Sequence, residues 1–168
     1  MTGEVGESAE WVAAAERVAA ALRAAASRGF TAWNDCLIAH LAPGGVRIRH
    51  LPPVPELDGW RGPVSAEEYF RVESEVFPKA FTNFRFSAGV GTSDGRVRVE
   101  LWHRGTLPGP GAVLSAVGFD LSLELDEHGR ITEVTGTQRP DTRRADLVGW
   151  LKAVAGAGGF RPPPPDAP

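Results

Sequence analysis

The run Arg96-Val97-Arg98-Val99-Glu100-Leu101-Trp102-His103 constrains this chain more than any other stretch. Apolar and polar residues alternate along it with period two, the mark of a half-buried strand. Val97, Val99 and Leu101 share one face, and His103 continues it. Val46 to His50 repeats the pattern, with Val46 and Ile48 on one face and His50 continuing it. Two strands therefore each aim an imidazole where the pattern places the core. Polar groups converging on the inner face of a sheet are a common way to build a small-molecule pocket. His50 and His103 are thus the leading candidates for chemistry.

At 168 residues the chain is long enough to bury a core without staples. The formal net charge of -3 offers no basic face to nucleic acid. No apolar run approaches the length of a membrane span, and the acidic first residues lack a hydrophobic signal core. Cys36 is the one cysteine, so an intrachain disulfide is impossible and a reducing cytoplasm is the expected setting.

The chain reads as one domain over residues 8–155, between an N-terminus (1–7) and a Gly/Pro-rich tail (156–168) that are both expected to be disordered. Ser8 is an expected N-cap for an Ala-rich helix with Trp11, Ala15, Val18 and Leu22 as its buried stripe. A second helix is expected over about Thr31 to Leu41, stopped by Pro43-Gly44-Gly45. Leu51 to Pro63 reads as a shaped loop. Ser65-Ala66-Glu67-Glu68 is a capping box that opens a helix ending near Pro78. Four strands follow: Asn83 to Val90, Arg96 to Thr106, Ala112 to Leu125 and Ile131 to Thr137. Thr92-Ser93-Asp94-Gly95 marks the first hairpin, and His128-Gly129 turns the chain into the last strand. A short helix over Asp141 to Ala155 closes the order. Helices first and an antiparallel meander after predict an α+β fold, with helices on one face of a curved sheet.

Several pieces in this order resemble a known family. They are Val46–His50 after an Ala-Pro turn, Gly59-Trp60-Arg61-Gly62 before the capped helix, and Phe77-Pro78 leading into Phe84-Arg85-Phe86. Trp102-His103-Arg104-Gly105-Thr106 and Gly129-Arg130-Ile131-Thr132-Glu133 complete the set. The chain over residues 10–150 is similar to the SnoaL-like polyketide cyclases, within the superfamily of nuclear transport factor two and ketosteroid isomerase. The resemblance implies a cone-shaped, cystatin-like α+β fold with N-terminal helices packed on a strongly curved, mostly antiparallel sheet. It also implies a homodimer, and acid–base chemistry on an apolar molecule with no cofactor. Arg96 to His103 further resembles the strand on which scytalone dehydratase-like enzymes carry an inward histidine. Two positions depart from the cyclase pattern. Leu107 stands where those cyclases tend to have His, and Leu121 where they tend to have Asp. Asp120 lies next to it on the opposite parity, and a one-residue bulge would turn it inward.

The expected catalytic set is His103, Asp120 and His50. An imidazole titrates near neutrality and serves as acid or base; the alternative for His103 is a strand-end ring bound to a backbone carbonyl. A buried Asp120 would have a raised pKa, and a solvated one would not. Trp33, Trp60, Phe70, Phe84, Phe86, Leu107, Phe119 and Leu121 are the expected substrate wall. Trp102 has outward parity and reads as a subunit contact. His40 and His128 are expected to be exposed, and with Cys36 they form no metal-ligand spacing. The Gly-rich run 105–111 lacks the Lys-Ser/Thr of a phosphate loop. The expected function is a cofactor-independent enzyme of specialised, polyketide-type metabolism that cyclises, isomerises or dehydrates a small apolar substrate. The alternative is a binding protein of the same fold that leaves its ligand unchanged.

Overall fold

The structure, a computed structural model, describes residues 3–51 and 65–159. Trp60, most of the Pro-rich loop and the residues after 159 lie outside the described residues. The element order is α1 (Gly3–Ala26), α2 (Phe30–Ala39), β1 (Arg47–Leu51), α3 (Ala66–Ala80), β2 (Thr82–Ser93), β3 (Arg96–Thr106), β4 (Leu114–Leu125), β5 (Ile131–Gln138) and α4 (Arg144–Gly156). Ser65 caps α3 as its sequence predicts, accepting a hydrogen bond from the Glu68 amide at 3.2 Å. Ser8 does not cap α1, because that helix starts at Gly3, so residues 3–7, expected to be disordered, are helical.

The five strands make one open sheet of order β1-β5-β4-β3-β2. The last four strands pair antiparallel, while β1 joins the free side of β5 in parallel. Asp94 and Gly95, at φ 53° and 69°, form the turn between β2 and β3. Positive φ at both positions matches the right-handed twist of a two-residue hairpin. The fold is therefore α+β with a mostly antiparallel sheet.

Alternation along β3 is complete: Val97, Val99, Leu101, His103 and Gly105 are buried, and Arg96, Arg98, Glu100 and Arg104 are exposed. The helices cover the inner face. Small residues let α1 lie close to β2 and β3, with Ala15, Val18, Ala19, Leu22 and Ala25 turned inward. Trp11, expected in that stripe, is 39% exposed and borders the β2–β3 turn instead. Gly105 is required at its step, since a Cβ there would sit 2.6 Å from Phe81 Cβ.

Candidate functional site

Three elements bring polar side chains to one place under the sheet. β3 delivers His103, 4% exposed, by strict alternation after Leu101. β1 delivers His50, 8% exposed; its Cα pairs with that of Gly136 on β5, and its ring lies over that glycine. α3 delivers Glu73, 9% exposed, and Tyr69 one turn before it. The i, i+4 spacing puts the two side chains on one helix face, where the Tyr69 hydroxyl hydrogen-bonds the Glu73 carboxyl.

The His103 ring sits in an aromatic box. Trp150 stacks on it at 6.1 Å and 8°, while Phe77 and Phe30 meet it edge-on at 5.1 and 5.5 Å. Phe84 stacks at 5.9 Å. Among the described residues neither ring nitrogen has a hydrogen-bond partner, and neither does Trp150 Nε1. Burial without a counter-charge pushes the His103 pKa down to about 3, so the ring is neutral at physiological pH. Burial pushes Glu73 up to about 8, against the smaller opposing effect of the Tyr69 hydroxyl. The site thus holds a neutral imidazole with a free lone pair and a carboxylic acid that keeps its proton at neutral pH. Environments that drive two titratable groups apart in this way are how enzymes divide acid and base roles.

These groups border a partly open hollow of about 40 Å³ between the sheet and the helices. Pockets for drug-sized ligands run to about 300–1,000 Å³, so this hollow is small. That matches a small ring; a polycyclic molecule fits only if the walls part. The wall is largely apolar, and among the described residues no Lys or Arg belongs to it.

Of the residues expected from sequence, His50, His103, Trp33, Phe70, Phe119 and Leu121 border the hollow. Phe84 and Phe86 do not; they form the aromatic layer behind, around Phe30. Leu107 is also away from it, packed against the backbone of Gly149 on α4. Asp120 faces the opposite way. β4 has no bulge between Phe119 and Leu123, so parity holds and Leu121 takes the inner position. The Asp120 carboxylate accepts a 2.7 Å hydrogen bond from Arg139 on the outer face, which removes it from the expected catalytic set. Trp102 is on that outer face too, lying over Gly118 with the Arg104 guanidinium 4.8 Å above its ring. His128 is exposed as expected, but His40 is half-buried, its Nδ1 2.8 Å from the Cys36 carbonyl oxygen.

Sequence reasoning missed Glu73, Tyr69, Trp150 and Gly136. For Glu73 a signal existed: Tyr69, Phe70, Glu73, Val76 and Phe77 are one continuous helical stripe, and a Glu in the middle of it is anomalous. Gly136 had none, because its need for no side chain comes from β1 across the sheet. Among the described residues no group of His, Cys, Asp and Glu is placed to hold a metal, and no helix is long and apolar enough to cross a membrane. No protein-family model matches the chain, and no curated protein does.

Proposed function

We propose that the hollow is the active site of a cofactor-independent enzyme that moves protons on a small, apolar, oxygenated molecule. Isomerisation, dehydration or ring closure are the reactions open to it, in the manner of the SnoaL-like cyclases and their cone-shaped, cystatin-like relatives. Specialised, polyketide-type metabolism is the proposed setting, and the hollow's size favours a compact substrate. The observation behind this reading is His103: a neutral imidazole, fully enclosed by aromatic rings, with both nitrogens unpartnered at the edge of a hollow. Burying such a ring without partners costs about 1–3 kcal/mol, which a ligand oxygen or C–H acid would offset. The role assigned to His103 is general base, with His50 holding a substrate oxygen. The enclosing rings exclude water and restrain the reacting carbons, so part of the rate comes from position alone.

The test needs no knowledge of the true substrate. Cyclopentanone in D₂O exchanges its α-protons when a base removes them, and NMR follows the loss of signal. The protein is expected to accelerate exchange above free imidazole at equal concentration, and His103→Phe to return it to that baseline. Equal rates for the two proteins, or no acceleration by either, would overturn the enzymatic reading.

A second reading is a non-catalytic binding protein. The outward Asp120 and the inward Leu121 support it, because the carboxylate that the resembled cyclases use is missing from the wall. It predicts ketone binding without exchange.

A further inference from the structure

Glu73 occupies a position that packing does not ask for. Its neighbours on the inner stripe of α3 are Phe70, Val76, Phe77 and Ala80, with Tyr69 the other polar member. A leucine there would avoid burying a carboxyl group, which costs several kcal/mol when ionised. Among the described residues, the other titratable groups facing the hollow are Tyr69 from α3 itself, His50 from β1 and His103 from β3; α2, α4, β4 and β5 contribute none. A carboxylate at this place would meet no Lys or Arg among the described residues.

We propose that Glu73 is the proton donor of the site, and that its ligand is an uncharged carbonyl compound with the oxygen toward α3 and an acidic C–H toward His103. This deepens the acid–base reading above and rests on it. Burial supplies the donor with its proton, since a group held at about 8 is a carboxylic acid at neutral pH. The step balances within the site. The C–H bond breaks as an N–H bond forms on His103; its electron pair becomes the enol C=C; and the carbonyl oxygen takes the Glu73 proton. Imidazolium then returns a proton to the same or a conjugated carbon while the carboxylate recovers the enol proton. The result is exchange or double-bond isomerisation, with no oxidant or reductant needed. Among the described residues the wall has no Lys or Arg, which favours an uncharged ligand over a carboxylate.

The experiment compares wild type, Glu73→Gln and Tyr69→Phe with cyclopentanone in D₂O. Glutamine keeps the size and a hydrogen bond but has no acid proton to transfer. Glu73→Gln is expected to slow exchange about 100-fold, the lower end of general acid contributions. In wild type, exchange should fall as pH rises through about 8. Tyr69→Phe removes the hydrogen bond that holds the Glu73 pKa down, so this fall should move to higher pH. Infrared difference spectra add a readout that needs no turnover: the ketone should shift one protonated-carboxyl band that is absent in Glu73→Gln. If Glu73→Gln keeps the wild-type rate while His103→Phe loses it, this proposal fails and the reading of His103 stands. If the band shifts but wild type exchanges nothing, the enzymatic reading fails and Glu73 remains the ligand's donor. Should Glu73→Gln not fold, a fall at unchanged pH in Tyr69→Phe overturns the assignment.

Discussion

Exchanging His103 for Phe separates the titration of one buried group from that of another. In the folded chain burial raises Glu73 from 4.5 to about 8, and lowers His103 from 6.5 to about 3. Between 4.5 and 8 the folded chain keeps a Glu73 proton that the unfolded chain loses, so stability falls as pH rises. Between 3 and 6.5 the unfolded chain holds an extra proton on His103, so stability rises with pH. The windows overlap from 4.5 to 6.5, where the two slopes cancel and stability should be level. Above the overlap Glu73 acts alone over about 1.5 pH units, a loss of about 2 kcal/mol by pH 8. Below it His103 acts alone, with a similar loss of about 2 kcal/mol by pH 3. His103→Phe deletes one slope. Its stability should fall throughout the Glu73 window, by about 5 kcal/mol in all. Packing differences between Phe and His move the whole curve and leave its shape unchanged. Urea unfolding at closely spaced pH values, with wild type minus variant plotted, isolates the His103 contribution from every other carboxylate. A difference that stays flat from pH 6.5 down to 3 would show that the folded ring ionises as freely as the unfolded one, and would refute the burial argument.

Three further substitutions probe the walls and the outer face. Gly136→Val should displace His50, since even a Cβ there would lie 3.3 Å from its Cδ2; ketone binding measured by NMR titration should be lost for about 1–3 kcal/mol of stability, and undiminished binding would remove this wall from the site. Asp120→Asn breaks only the outer-face pair with Arg139, so exchange should be unchanged and stability lower by at most about 1 kcal/mol; a variant that loses exchange would return Asp120 to the catalytic set. Gly105→Ala forces a Cβ against Phe81 and should cost about 1–3 kcal/mol or more, read as a lower Tm, at about 2–4 °C per kcal/mol for a chain of this size; an unchanged Tm would show that Phe81 yields freely.

The course of the backbone was largely legible in the residues. Alternation from Arg96 to His103 carries its own phase, because one step of slip would expose Val97, Val99 and Leu101. The Ser65 cap and the Asp94-Gly95 turn are local chemistry, and both are where the residues put them. The same parity placed Asp120 outward, and the bulge considered for it does not exist. Helical periodicity puts Glu73 on the buried stripe of α3 but does not give its charge state, since only the sheet and helices closing over α3 deprive it of water. Nor could it show that Gly136 makes room for His50, because those residues come from strands far apart in sequence that pair in parallel. Face and phase are short-range properties set by side-chain alternation along one strand or helix. The charge state of a buried acid and the size of a hollow are sums over every element that surrounds them, and seven elements meet at this one.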